Sequence, residues 1–279
     1  MSEEKIFNIV VTVNEPYLPH LYTMLASALY SNPTAYFKIF LLHSSVREES
    51  VRDIRELIGE RGELLLVKAD EAKLCDAPTT ERFPIEMYYR IFAAKYLPED
   101  VDRALYLDPD IIINGPLDEL YGRSLENYYF AAASHVGKGL NAFNHARLRT
   151  KGTPYINSGV LLMNIALLRK EQSSAEVFEF IENNKNRLWL PDQDVISGLY
   201  GGKIDLLDTC KYNMTEKLFR HKALELSQVR ENCVVIHYCG KNKPWNEKYS
   251  GKLDVFYKET LKRLGEIENN EKELSQICV

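Results

Sequence analysis

No apolar run in this chain approaches the ~18–20 residues that a membrane-spanning helix requires. The N-terminal segment MSEEKIFNIV carries acidic residues where a secretory signal carries basic ones. Cysteine is sparse: Cys75, Cys210, Cys233, Cys239 and Cys278 are odd in number, widely spaced and without a CxxC pair. That usage argues against a disulfide framework or a thiolate zinc site and for reduced thiols in a cytoplasmic protein. Basic residues do not predominate. Lys plus Arg number 35 against 40 Asp plus Glu, a formal charge of -5, so the electrostatic footprint of a nucleic-acid binder is missing. No internal repeat, low-complexity tract or Gly-, Pro- or Ser-rich linker divides the chain.

What is present fits a folded α/β protein. With 45% hydrophobic residues over 279 positions, the chain can bury a large core. Ile6 to Val13 is a β-branched apolar run that stops at the turn signal Asn14-Glu15-Pro16. Leu18, Leu21, Tyr22, Leu25 and Leu29 then recur at helical spacing. A strand over 37–42, a helix over 48–59 and a strand over 64–67 continue the alternation. This order predicts an α/β fold with a central, mostly parallel sheet flanked by helices. Pro84 opens a helix expected over 85–96, and strands are expected over 103–107 and 111–113. Further strands read over 130–133, 160–164 and 234–236, with helices over 175–183 and 192–200. Residues 1–250 are expected to form one domain, followed over 251–279 by an amphipathic helix and a polar, fraying tail.

Four clusters carry chemistry. Asp108 and Asp110 stand at the end of a predicted strand, on one side of an extended segment, with Pro109 keeping Asp108 out of the helical region. Such a pair suits a hard cation such as Mg²⁺ or Mn²⁺, although Asp-Pro-Asp is also ordinary turn chemistry. His237 follows a strand in VVIHYCGKNKPW. It reads either as a ligand or as a hydrogen-bonded structural histidine. Gly240, Lys241 and Lys243 follow it in a loop able to approach phosphates. Asn157-Ser158-Gly159 and Asp192-Gln193-Asp194 sit beside apolar runs. Asp192 after Pro191 reads equally as a helix cap, and the amides as satisfied structural groups.

Taken together, VVTVNEPYLPHL, EMYYRIFAAKYLP, RALYLDPDIIING, YINSGVLLMNIALLR, LPDQDVISGLYGGKIDLLD and VIHYCGKNKPW occur in an order that resembles the retaining glycosyltransferases of family 8. That group includes bacterial lipopolysaccharide galactosyl- and glucosyltransferases. The resemblance implies a GT-A fold, a UDP-sugar donor, Mn²⁺ or Mg²⁺, a saccharide or glycolipid acceptor, and retention of configuration. It implies that Asp108, Asp110 and His237 hold the metal and that Arg90 contacts the donor. Asn157, Asp192 and Gln193 would line the donor sugar, and Gly240 and Lys243 would close over the diphosphate. In the first loop, Asn14 and Pro16 stand where better-known members carry an acidic residue and an Asn, while Tyr17 is kept to stack on the base. Gln193, an amide and a poor nucleophile, lies nearest the expected reaction centre, which favours same-face attack over double displacement.

Three other readings make demands of their own on the sequence. A sugar nucleotidyltransferase would carry a GxGxR loop after the first strand, and none is found. An aspartate-nucleophile phosphatase would place its DxD after the first strand rather than at Asp108. A non-catalytic sugar-nucleotide-binding relative would be expected to lose metal ligands that are intact here. Over 252–279, six acidic residues face five basic ones, which gives no polybasic attraction to a membrane.

Overall fold

The computed structural model describes residues 5–69, 79, 85–151 and 154–277, with side chains described through Glu266. Pro84, Cys75 and Cys278 lie outside the described residues. Among the described residues nine strands form, β1 (Lys5–Thr12), β2 (Ala35–His43), β3 (Gly62–Lys68), β4 (Arg103–Leu107), β5 (Ile111–Ile113), β6 (Phe130–Ala132), β7 (Val160–Asn164), β8 (Ile204–Leu206) and β9 (Val235–His237). Seven of them make the main sheet in the order β3-β2-β1-β4-β7-β6-β8. Pairing is parallel from β3 through β4 and between β6 and β8, and antiparallel on both sides of β7. The remaining two, β5 and β9, form a separate antiparallel pair.

Both faces of the main sheet are covered, which is why its strands read as continuous apolar runs rather than alternating ones. Successive residues still point to opposite faces. Phe7, Ile9, Val11, Leu105, Leu107, Val160 and Leu162 join the core on one side. Val10, Ala104, Tyr106, Leu161 and Met163 join the core on the other. The helix Leu18–Ser31 fills the first core with Leu21, Met24, Leu25, Ala28 and Leu29. Tyr88, Tyr89, Val195 and Ile196 fill the second.

Two helical expectations need correction. The segment expected as one helix over 85–96 is divided into Glu86–Tyr89, a 3₁₀ turn Arg90–Phe92, and Ala93–Tyr96. Between the strands expected over 130–133 and 160–164, where the sequence marks no element, lies the helix Lys138–Leu148, which ends with Arg149 in the left-handed conformation at φ 56°. The terminal helix runs Asp254–Ile277. Its Leu253, Phe256 and Tyr257 flank pack with Ile112, Met214 and Ile236 in a third core beside β5 and β9.

One buried acid ties several of these pieces together. Asp194, in the helix Pro191–Tyr200, is fully buried. It accepts from both terminal nitrogens of Arg147 at 2.6 and 2.8 Å, from the Tyr155 hydroxyl at 2.5 Å and from the Trp189 N–H at 2.6 Å. Removing one partner of such a pair strands the other charge away from water. Asp194→Ala is therefore expected to lower unfolding free energy by about 3–5 kcal/mol in urea denaturation.

Candidate active site

Strand β4 delivers Asp108 at its carboxyl end, where ligands bind in open α/β sheets. The Asp108 N–H donates to Gly159 O at 2.9 Å, which fixes this end of the strand to the segment entering β7. Three residues on, at Ile111, β5 begins. Its partner β9 places His237 opposite Ile111, and the Tyr238 N–H donates to Asp110 O at 3.0 Å. The ladder therefore brings the imidazole across from the two carboxylates.

The three side chains converge. His237 Nε2 stands 3.7 Å from Asp108 Oδ2 and 3.3 Å from Asp110 Oδ1. One ligand atom from each residue lies within 4.8 Å of the others. His237 Nδ1 donates to Asn213 Oδ1 at 2.9 Å, which orients the ring with Nε2 toward the carboxylates. The packing requires glycine at 159. A Cβ there would fall 2.3 Å from His237 Cε1 and 2.7 Å from Asp108 Oδ2. Two hard oxygen donors and one imidazole, held on an open cleft, fit a divalent cation such as Mn²⁺ or Mg²⁺.

A second layer of polar contacts supports the first. Arg90 Nη2 pairs with Asp108 at 3.0 Å, while its Nη1 pairs with Asp192 at 3.1 Å and donates to Ser158 O at 3.1 Å. Its guanidinium also lies 4.3 Å from the Tyr106 ring centroid. The Tyr106 hydroxyl donates to Asp108 Oδ1 at 2.7 Å. A chain of amides runs outward from His237. Asn213 Nδ2 donates to Asn157 Oδ1 at 2.9 Å, and Asn157 Nδ2 donates to Gln193 Oε1 at 3.1 Å. Asp192 does not cap its helix; it accepts from the Ser158 hydroxyl at 2.7 Å.

Burial and charge set the protonation states. Burial would raise the Asp110 carboxyl, but the charges of His237 and Lys243 outweigh it and hold it well below the usual carboxylate range. Burial would likewise lower the Arg90 guanidinium; Asp108, Tyr106 and Asp192 reverse the sign and keep it charged. Asp192 is pushed up by burial, an effect that Arg90 and Ser158 only partly offset. His135, whose Nε2 lies 2.8 Å from Asn213 O, is pushed down to about 4 by burial.

A cleft of about 950 Å³ is lined by Asn14, Tyr17, Arg90, Asp108, Asp110, Asn157, Asp192, Gln193, His237, Gly240 and Lys243, while Gly159 and Asp194 lie outside its lining. Tyr17 is 40% exposed, and Asn14 Oδ1 is buried without a hydrogen-bond partner. Gly240 adopts φ 99°, a conformation glycine tolerates best. Lys243 Nζ contacts Asp110 Oδ2 and donates to Tyr238 O at 2.9 Å. Asn213, Tyr106 and the space at Gly159 escaped the sequence reading. Asn213 sits in KYNMTE with no spacing or motif to mark it.

Two substitutions test the geometry without touching a ligand. Asn213→Ala frees the His237 ring, and Mn²⁺ affinity measured by calorimetry is expected to fall about 10–100-fold. Gly159→Ala forces His237 and Asp108 apart, and the same titration is expected to lose at least as much, with far-UV circular dichroism unchanged.

The sequence profile of glycosyl transferase family 8 matches residues 8–249. A lipopolysaccharide 1,2-glucosyltransferase of Escherichia coli is 25% identical over 257 residues, covering 88% of this chain and 75% of its own. A lipopolysaccharide 1,3-galactosyltransferase of Salmonella typhimurium is 26% identical over 254 residues, covering 88% and 74%. The galactosyltransferase LgtC, solved with donor and acceptor sugar analogs, superposes with a TM-score of 0.81 at 22% identity, over 91% of this chain and 95% of that one. The fold is the GT-A fold expected from the sequence, and the chain belongs to glycosyl transferase family 8.

Proposed function

We propose that this glycosyltransferase moves a hexose, glucose or galactose, from a UDP-sugar to a saccharide or glycolipid acceptor with retention of configuration. The observation that carries the reading is the convergence of Asp108, Asp110 and His237 within 4.8 Å on the wall of one cleft. The lipopolysaccharide glucosyl- and galactosyltransferases among its relatives support the sugar and acceptor classes. Asp108, Asp110 and His237 would hold a divalent cation, which when bound would supply Lewis-acid stabilisation of the leaving diphosphate. The three described cysteines are free, which supports a reducing compartment such as the cytoplasm. No helix among the described residues is long and apolar enough to cross a membrane.

The chain's own residues divide the remaining work. The Tyr17 ring offers a stacking face for the base. The unpartnered, buried Asn14 Oδ1 offers an acceptor suited to the N3–H of uracil. Gly240 lets the following loop approach the diphosphate closely, and Lys243 adds positive charge where negative charge develops. Asp192 and Gln193 position the donor sugar, with Arg90 and Asn157 holding them in place.

Retention by double displacement needs a free carboxylate at the anomeric carbon. Each carboxylate lining the cleft is already engaged. Asp108 and Asp110 belong to the metal cluster, and Asp192 is held by Arg90 and Ser158. Glu86 accepts from the Ser44 hydroxyl at 2.7 Å, and Glu216 pairs with Arg220 at 2.9 Å. The Gln193 amide oxygen already accepts from Asn157. These engagements support attack from the face the diphosphate leaves.

Calorimetric titration with UDP tests the reading. Binding is expected in Mn²⁺, is expected to vanish with excess chelator, and is expected to vanish again in Asp108→Ala and His237→Ala. Absence of UDP binding under every metal condition would sink the UDP-sugar assignment.

A further inference from the structure

The cleft wall next to Asp192 carries an aromatic surface that the donor chemistry leaves unused. Trp189 is 59% exposed, Leu140 50% and Phe143 47%. Trp189 and Leu140 line the cleft itself. The Phe143 and Trp189 rings lie 5.4 Å apart at 42°, and Leu140 precedes Phe143 by one turn of the same helix. Scattered exposed apolar residues are common, but three gathered at the wall of a cleft mark a binding surface.

The tryptophan is anchored through its main chain and its ring is backed on one side. The Trp189 backbone N–H donates to Asp194, and the Arg147 guanidinium lies 4.7 Å from the ring centroid. Arg147 is in turn fixed by its buried pair with Asp194 at 2.6 Å. A cation therefore backs the ring, already neutralised by its own partner, while more than half of the tryptophan stays open. Asn144 and Arg147 also line the cleft and give the apolar surface a polar border.

We infer that Trp189, with Phe143 and Leu140, forms a subsite that receives a pyranose ring of the acceptor saccharide; this rests on the transferase reading above. A pyranose gathers C–H bonds on one face and carries hydroxyls around its edge. That shape matches a fixed aromatic plane bordered by an amide and a guanidinium. A tryptophan held by its backbone and backed by a guanidinium loses little freedom when a ring stacks on it. Position agrees with chemistry. Trp189 leads directly into the helix that carries Asp192 and Gln193, so a sugar stacked there lies beside the donor sugar. Because the adjacent Arg147 charge is neutralised by Asp194, the surface offers stacking rather than attraction to anionic lipid.

The chain has two tryptophans, Trp189 and Trp245, which makes ¹⁹F NMR of the 5-fluorotryptophan protein a direct test. The Trp189 resonance is assigned by its loss in Trp189→Phe. With UDP and Mn²⁺ present, methyl β-galactoside, methyl β-glucoside and methyl β-lactoside are titrated, with sorbitol as an open-chain polyol control. The Trp189 resonance is expected to shift saturably with at least one glycoside and not with sorbitol. Saturation-transfer NMR of that glycoside is expected to show about tenfold weaker binding to Trp189→Ala, with affinity near that of the wild type for Trp189→Tyr. A Trp189 resonance indifferent to every glycoside, one that moves only with phosphatidylglycerol vesicles, or unchanged glycoside binding by Trp189→Ala would each overturn the subsite. Calorimetry with UDP on the same samples separates the two readings. Lost UDP binding with retained glycoside binding counts against the donor assignment alone, and the reverse counts against the subsite alone.

Discussion

The antiparallel pairing of β5 with β9 is the contact on which the site depends. It sets Ile111 opposite His237 and so carries an imidazole from late in the chain to two carboxylates near its middle. β9 takes no part in the seven-stranded sheet, so its placement rests on this pairing and on the bridge between Met214 and Ile236. The pair is short, and its stability comes from what lies behind it. Ile112 and Ile236 are buried against Met214 and the start of the terminal helix. A helix remote from the chemistry thereby holds the strand that positions a ligand.

Gathering so many charges in a buried place is costly unless each finds a partner. Asp108, Asp110 and Asp192 face two fixed cations, Arg90 and Lys243, and the excess of negative charge favours a bound cation. Hydrogen bonds absorb much of the remaining cost. Tyr106, Ser158 and Asn213 each donate to or accept from a site residue, and the Asn213–Asn157–Gln193 amide chain links the cation side of the cleft to the donor-sugar side. Arg90 serves both sides at once, since its two terminal nitrogens pair with Asp108 and Asp192. The 3₁₀ turn at Arg90–Phe92, where a regular helix was expected, lies at the residue that makes this bridge.

Much of the architecture was legible because buried strands write themselves as apolar runs. The strands at 103–107, 111–113 and 160–164 fall where the sequence puts them, and the DxD stands at the end of one. What escaped was of two kinds. Lys138–Leu148 is amphipathic only weakly, with Leu140 and Phe143 exposed rather than packed in a core, so its periodicity carries little signal. Asn213 and Gly159 act through space: one matters because it meets His237 Nδ1, the other because a Cβ would occupy the ring's place. Spacing along a chain cannot reveal a contact made between distant segments. Arg90 was legible as a site residue, but its pairing with two acids at once was not.

The central claim is that one divalent cation and a nucleotide diphosphate share the Asp108–Asp110–His237 cluster. The most direct measurement is a crystal structure with UDP and Mn²⁺, using anomalous scattering at the manganese edge. The account predicts a single anomalous peak coordinated by the two carboxylates and His237 Nε2 and touching both phosphates. A peak elsewhere, or UDP bound in the cleft with no manganese at these three residues, would contradict it.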